Sequence, residues 1–215
     1  IDSKSKNQSK RKTDDVNWVD ITDLWNKETR CDLTSVDLFC GAGGITKGFE
    51  LAGFENICGL DWFKEAGLTY KKNFSHSFVE GDIALKEKKK EFYKEVRKGL
   101  KDRSLNVIAG GFPCQGFSMS GNRVVDDPRN SLYREMLEIV DELKPEFVVL
   151  ENVKGLRSML KGRVEQKIIE DYMNAGYEVN VTTLMAADYE VPQKRERVIF
   201  ICNRIGKSNL HPQPL

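Results

Sequence analysis

Thr34-Ser35-Val36-Asp37-Leu38-Phe39-Cys40-Gly41-Ala42-Gly43-Gly44 is the stretch that decides the fold. The run up to Cys40 is β-prone, the glycines end it, and residues 45–52 have the pattern of a helix that stops at Gly53. A strand, a glycine-rich turn and a helix form the nucleotide-binding corner of a doubly wound α/β sheet. The glycines allow a ligand to approach the backbone, and the helix N-terminus offers amide donors and positive potential.

Acidic residues recur near the ends of the first three predicted strands. Asp37 lies in the first, Asp61 follows the run 56–60, and Asp82 follows the run 77–80. An acid at the second strand end commonly binds ribose hydroxyls, and the neighbouring Trp62 suits stacking on an adenine. Each acid alone is more often a turn residue, and Trp62 alone is equally well explained as a cap on the core. Their recurrence at one edge favours an adenosine-type ligand, while the missing third glycine of the dinucleotide fingerprint disfavours a nicotinamide enzyme.

A second glycine-rich loop, Gly110-Gly111-Phe112-Pro113-Cys114-Gln115-Gly116-Phe117-Ser118, follows a buried strand predicted at 105–109. It places Cys114 at the carboxyl end of a strand, where ligands bind in open α/β sheets. Free cysteine is often a small buried hydrophobe, so position alone leaves packing and chemistry equally supported. The next predicted strand, 146–150, delivers Glu151 and Asn152 to the same edge. A carboxylate beside a candidate nucleophile suits acid-assisted addition.

The last two predicted strands, 177–184 and 198–202, are joined by a turn too short for a crossover helix. We therefore expect them to be antiparallel neighbours. In the intervening Gln193-Lys194-Arg195-Glu196-Arg197, the two arginines alternate with other residues and should share one face. They suit contact with a phosphate or a base as well as plain solvation. The remaining helices are predicted at 86–103, on a segment opening near Asp126, and at 165–174.

Composition places the chain in the soluble globular class. It has 215 residues, of which 40% are hydrophobic and 31% charged. The net charge of +1 is not the strong basic signal of a self-sufficient nucleic-acid binder, so global charge decides little about function. No apolar run approaches the roughly 20 residues that span a bilayer, and no signal peptide is visible, so we expect an intracellular location, cytoplasmic in a bacterium or nuclear in a eukaryote. The five scattered cysteines form no C-x-x-C pair. With only His76 and His211 available, we expect no metal site and place both histidines at the surface.

Four segments, in order, resemble the motifs of the cytosine-C5 DNA methyltransferase family: 37–44, 111–115, 151–153 and 193–197. The resemblance covers roughly residues 33–204. It implies a Rossmann-like, S-adenosylmethionine-dependent methyltransferase fold, with a mostly parallel sheet and an antiparallel last strand. It also implies that the substrate is double-stranded DNA.

The resemblance further implies a role for individual residues. The cofactor would contact Asp37, Phe39, Gly41, Gly43, Gly44, Asp61, Trp62, Asp82, Ile83, Pro113 and Leu132, with Asp61 on the ribose, Trp62 on the adenine and Asp82 near the adenine amino group. The catalytic set would be Cys114, Glu151, Asn152, Arg195 and Arg197. Cys114 would add to C6 of a flipped cytosine, and Glu151, positioned by Asn152, would protonate or hydrogen-bond N3. Arg197 would hold the cytosine O2, supported by Arg195.

In this family a target-recognition region and further segments follow the Q-x-R-x-R motif, whereas the chain here ends at Leu215. Residues 1–15 contain almost no apolar side chain, and we expect residues 1–32 to be a flexible tail and N-terminal extension. The resemblance places the catalytic domain at 33–204. Residues 205–215 would then be the start of a link to a target-recognition region. That region lies either in a longer protein or on a second polypeptide. Two alternatives remain open: a transfer-RNA cytosine-5 methyltransferase and a non-catalytic subunit of the same fold. The G-F-S after Cys114-Gln115 is closer to the DNA branch of the family.

Overall fold

The computed structural model describes residues 17–20, 32–113 and 131–215. Its strands are β1 (Asn17–Val19), β2 (Thr34–Leu38), β3 (Glu55–Asp61), β4 (Ser77–Glu80), β5 (Val107–Gly110), β6 (Phe147–Val153), β7 (Glu178–Met185), β8 (Glu196–Asn203) and β9 (Leu210–Pro212). Its α-helices are α1 (Gly44–Leu51), α2 (Lys64–Asn73), α3 (Lys86–Leu100), α4 (Ser131–Leu143) and α5 (Arg163–Asn174). Short 3₁₀ segments span Lys154–Gly162 and Ala186–Tyr189.

The central sheet has seven strands in the order β4-β3-β2-β5-β6-β8-β7. The first five of these pair in parallel, and β8 is antiparallel to both of its neighbours. The predicted α/β fold with an antiparallel last strand is confirmed. The short connection from β7 to β8 leaves no room for a crossover helix, which is why this pair forms a hairpin.

The strand β2 lies inside the sheet, between β3 and β5, and all five of its residues are buried. Helix α3 is amphipathic, as predicted, with Phe92, Val96 and Leu100 buried at four-residue spacing and charged residues on the other face. Its one buried cation, Lys89, pairs with Glu135 at 2.5 Å and with Glu138. None of the described helices has the length and apolar content needed to cross a membrane.

Strand β6 is longer than the sequence pattern predicts. The apolar run stops at Leu150, yet pairing with β8 continues through Glu151, Asn152 and Val153, which lies opposite Arg197. The pairing keeps these polar residues in extended conformation, so Glu151 and Asn152 lie on the strand itself. The helix predicted to open near Asp126 begins outside the described residues, and its described part is α4.

A small parallel pair, β1 with β9, is separate from the main sheet and has no counterpart in the sequence prediction. It places His211 in the interior with no exposed surface, so the expectation of a surface histidine is wrong. Burial lowers the pKa of His211, and a hydrogen bond with the Asn180 backbone partly offsets this. His76 is half-buried and hydrogen-bonded to Tyr70. Strand β1 falls within the predicted N-terminal extension, and the domain boundaries stay a prediction.

Candidate active site

The loop between β2 and α1, residues 39–43, is wound tightly at the carboxyl edge of the sheet. Phe39, Gly41 and Gly43 have φ of 58°, 53° and 97°. For a bulky residue such as Phe39, this left-handed conformation costs on the order of 1–2 kcal/mol, and such strain clusters at ligand sites. Backbone bonds secure the loop, since the Cys40 amide donates to the Leu60 carbonyl at 3.2 Å and the Gly43 amide to the Cys40 carbonyl at 2.8 Å.

The glycines of this loop, and Gly44 at the start of α1, have different environments. A Cβ at Gly41 or Gly44 would meet no atom within 4 Å, so open space adjoins the backbone there. A Cβ at Gly43 would lie 2.2 Å from the Phe74 ring. Gly43 is therefore required by packing, whereas Gly41 and Gly44 leave room for a ligand against the backbone.

Asp61 and Trp62 lie at the end of β3, beside the loop 39–43. The Asp61 carboxylate is buried and accepts hydrogen bonds from the amides of Gly41 at 2.8 Å and Phe63 at 2.7 Å. Each carboxylate oxygen retains acceptor capacity, so a ribose hydroxyl can still be bound. Trp62 is 69% exposed, which is high for tryptophan and excludes the alternative that it caps the core.

Asp37 lies beneath the loop, in the interior. One carboxylate oxygen, Oδ2, accepts from the Thr46 amide at 3.0 Å and the Thr46 hydroxyl at 2.6 Å, which ties β2 to the first turn of α1. The other, Oδ1, is buried without a hydrogen-bond partner among the described residues. Burial raises the pKa of Asp37 to about 7. Asp37 therefore supports the loop from within.

The other predicted cofactor residues, Asp82, Ile83, Pro113 and Leu132, differ in how deeply they are buried. Asp82 is exposed, its carboxylate accepts from the Ala84 amide at 2.9 Å, and the preceding Gly81 donates its amide to the Asp61 carbonyl at 2.9 Å. Thus the Asp82 turn adjoins the end of β3. Ile83 is a buried core residue. Pro113 and Leu132 are half-buried on either side of the undescribed segment 114–130, and Leu132 packs against the core.

Glu151 and the two predicted arginines meet at the ends of β6 and β8. Arg197 Nε lies 2.7 Å from Glu151 Oε1, and Arg195 Nη2 lies 3.6 Å from the same oxygen. The shared face predicted for the arginines is confirmed. About a quarter of the Glu151 side chain remains exposed, 26%, so this carboxylate is held by cations yet open to a substrate.

Gly111 contacts this cluster and was missed as a site residue by sequence reasoning. A Cβ at Gly111 would lie 3.1 Å from Glu151 Oε2, closer than nine in ten real Cβ contacts. The glycine therefore lets the loop after β5 pass directly beside the carboxylate. The signal available in the sequence was the Gly110-Gly111 pair itself, where only one glycine is needed to end a strand.

Asn152 joins β6 to the segment that leads to Cys114. Its Nδ2 donates to the Phe112 carbonyl at 2.8 Å, and its Oδ1 accepts from the Val153 amide at 2.9 Å. The side chain is buried, at 3% exposure. Asn152 thus anchors the backbone two residues before the predicted nucleophile, in addition to being Glu151's neighbour on the strand.

Cys114 itself lies outside the described residues. The described cysteines Cys40, Cys58 and Cys202 are buried, and burial raises the pKa of each thiol well above its ordinary value. They are poor nucleophiles at neutral pH, because the thiolate is the reactive form. Within the described ranges, no three His, Cys, Asp or Glu side chains are grouped to hold a metal ion.

The strand order and the glycine loop are those of the Rossmann-like methyltransferase fold. Residues 33–214 match the model of the C-5 cytosine-specific DNA methylases, and the chain belongs to that family. The Type II methyltransferase M.BspRI of Lysinibacillus sphaericus is 41% identical over 77% of this chain and 43% of its own length. M1.HphI of Haemophilus parahaemolyticus is 36% identical over 85% of this chain and 49% of its own length.

A solved structure supports the same assignment. A protein encoded within an E. coli prophage, described as a DNA modification methyltransferase, has a TM-score of 0.65 and 32% identity over 80% of this chain and 47% of its own. The chain thus spans about half the length of these relatives. Family membership implies S-adenosylmethionine as methyl donor. The residues fit that group, since open space adjoins Gly41 and Gly44 and the exposed Trp62 ring stands beside Asp61.

Proposed function

We propose that this chain carries the catalytic part of a restriction-modification DNA (cytosine-5-)-methyltransferase. The observation that supports this most directly is the Glu151 carboxylate, held 2.7 Å from Arg197 and beside Gly111, three residues before Cys114. An acid fixed by a cation at a strand end, beside a loop that leads to a candidate nucleophile in the sequence, suits nucleophilic addition to an electron-poor ring.

The Cys114 thiolate forms an Sγ–C6 bond with a target cytosine, which makes C5 nucleophilic. Glu151 donates a proton or hydrogen bond at N3, where negative charge would otherwise accumulate. Arg197 orients Glu151 and holds the cytosine O2, and Arg195 supports the same edge. S-adenosylmethionine supplies the methyl group that C5 accepts. Loss of the C5 proton to solvent water, breakage of the Sγ–C6 bond and return of the N3 proton to Glu151 then restore the aromatic base.

The cofactor is proposed to lie against the loop 39–43 and the ends of β3 and β4. Asp61 binds the ribose hydroxyls and Trp62 stacks on the adenine, which its high exposure permits. Asp82 lies near the adenine amino group, with Phe39, Gly41, Gly43 and Gly44 along the rest of the molecule. Pro113 and Leu132 supply apolar surface, and the buried Ile83 and Asp37 support the site from the interior.

The proposed substrate is double-stranded DNA with the target cytosine flipped out, because C6 is inaccessible to a side chain inside the duplex. Flipping costs a few kcal/mol, which protein contacts to the extruded base offset. The chain matches about half of each relative. We infer that recognition of the DNA sequence uses protein outside the matched half, in the same protein or on a second polypeptide.

The test measures methyl transfer from labelled S-adenosylmethionine to duplex DNA and to transfer RNA. It is run with the chain alone and with the chain together with a polypeptide that supplies the target-recognition region. Transfer to DNA that Cys114→Ser abolishes is expected, together with a stable adduct between Cys114 and 5-fluorocytosine DNA. Transfer only to transfer RNA would place the chain in the RNA branch. Absence of an adduct under all of these conditions would favour a non-catalytic subunit.

A further inference from the structure

A chain of hydrogen bonds runs from Asp37, beneath the proposed cofactor loop, to His76 between α2 and β4. The Thr46 hydroxyl donates to Asp37 Oδ2 at 2.6 Å and lies 3.2 Å from the Tyr70 hydroxyl. The Tyr70 hydroxyl lies 2.7 Å from His76 Nε2. Asp37, Thr46 and Tyr70 are all buried, and His76 is the half-buried end.

The donors in this series of hydrogen bonds all point toward Asp37 when its carboxylate is ionised. A carboxylate only accepts, so the one Thr46 hydroxyl proton is committed to Asp37. For all three hydrogen bonds to form together, Tyr70 then donates to Thr46 and His76 donates to Tyr70 through a proton on Nε2. Each donor depends on the next, and removing one hydroxyl leaves a buried neighbour without its partner.

The same tyrosine packs directly under the cofactor loop. A Cβ at Gly43 would lie 3.1 Å from the Tyr70 ring and 2.2 Å from Phe74, and a Cβ at Gly59 would lie 2.5 Å from the Tyr70 hydroxyl. The Tyr70 and Phe74 rings are in contact, with centroids 4.7 Å apart. Tyr70 is thus wedged between the loop at Gly43 and strand β3 at Gly59.

We propose that Thr46, Tyr70 and His76 are positioning residues that hold the loop 39–43 in the conformation that receives S-adenosylmethionine. The inference rests on the proposed function for the identity of the ligand. Its physical basis is the two connections of Tyr70 to the loop, one through packing on Gly43 and one through Thr46 and Asp37. Loss of the network weakens cofactor binding and leaves the chemistry at Glu151 intact.

The test variant is Tyr70→Phe in the full chain, which keeps the ring and removes only the hydroxyl. Affinity for S-adenosylmethionine, measured by calorimetry, should fall about tenfold, the equivalent of one buried hydrogen bond. In activity assays KM for the cofactor should rise with kcat unchanged. In the absence of cofactor, the amides of Cys40, Gly41 and Gly43 should exchange hydrogen faster than in the wild type.

Tyr177→Phe is the matched control, because Tyr177 is also buried and its hydroxyl donates one bond, to the Pro145 carbonyl at 2.8 Å. It should cost comparable stability without changing cofactor affinity or loop exchange. His76→Leu should weaken binding, and His76→Gln, which keeps a donor for Tyr70, should restore most of it.

Equal effects of Tyr70→Phe and Tyr177→Phe on loop exchange and on affinity would overturn the positioning role. Failure of the wild-type chain to bind S-adenosylmethionine would instead count against the proposed function. Loop exchange still decides the positioning role in that case, since it is measured without cofactor.

Discussion

Arg197 Nε lies 2.7 Å from Glu151 Oε1, joining the ends of the adjacent antiparallel strands β8 and β6. The pair is partly exposed, with 24% of the Arg197 side chain and 26% of the Glu151 side chain accessible. Its stabilising effect is therefore modest, and its main consequence is the fixed direction of the carboxylate.

Glu151→Gln should reduce methyl transfer to DNA by roughly 10²-fold to 10⁴-fold, because the side chain keeps its shape but loses the proton it donates. Steady-state incorporation of labelled methyl groups measures this. The matched control is Glu165→Gln, which removes an equally short carboxylate contact, 2.7 Å from Arg157 Nε, on helix α5. The control should leave transfer unchanged. Equal losses in both variants would show that the effect comes from stability alone.

Gly111→Ala should lower activity at least about tenfold while costing roughly 1–3 kcal/mol of stability. The added methyl group would lie 3.1 Å from Glu151 Oε2, so the carboxylate must shift by a few tenths of an ångström from its position beside Arg197. Urea unfolding and methyl transfer, measured together, separate the two effects. Gly155→Ala, where a Cβ meets nothing within 4 Å, is the control and should change neither.

Gly43→Ala and Gly41→Ala should differ in stability. At Gly43 the new Cβ would lie 2.2 Å from the Phe74 ring, in addition to the strain of a φ of +97°. At Gly41 the φ is +53° and the space is open. We expect Gly43→Ala to lower the melting temperature markedly and Gly41→Ala to cost only about 1 kcal/mol, as positive-φ glycines generally do. Both should lose affinity for S-adenosylmethionine, and similar melting temperatures would contradict the packing argument.

Asp37 should make the protein less stable as pH rises from about 4 to about 7. Burial raises the pKa of this carboxyl from 3.8 to about 7, so the folded state binds more protons than the unfolded state between these values. The loss across the window is on the order of 4 kcal/mol at most. Asp37→Asn cannot titrate, so the difference in unfolding free energy between wild type and variant should shift in the variant's favour as pH rises.

The two histidines act in the opposite direction. Burial lowers the pKa of His76 and of His211, so their contribution to stability is lost as pH falls below about 6.5. Comparing Asp37→Asn with wild type at each pH cancels the contribution of His211, and making the same comparison in a His76→Gln background removes that of His76, which shares a hydrogen-bond network with Asp37. A constant difference between the two proteins from pH 4 to pH 8 would contradict the raised pKa of Asp37.

Local pattern was enough to predict most of the elements and their order. The run 34–40 followed by four small residues predicts a strand, a turn and a helix, and the structure has β2 and α1 there. The short link before Arg197 predicts the antiparallel hairpin of β7 and β8. These features depend on neighbours in sequence, where periodicity and glycine placement carry the information.

Contacts between distant segments were decided only by the tertiary structure. Asn152 reaches the Phe112 carbonyl across 40 residues, Gly111 adjoins Glu151, and Tyr70 supports Gly43. His211 is buried because β9 pairs with β1, almost the whole length of the chain away. Such contacts depend on how the sheet brings strand ends together. The sequence on either side of a residue does not reveal which distant residue will contact it. The sequence by itself therefore determined which residues are proposed to carry the chemistry, and the packing of the sheet decided which residues contact and support them.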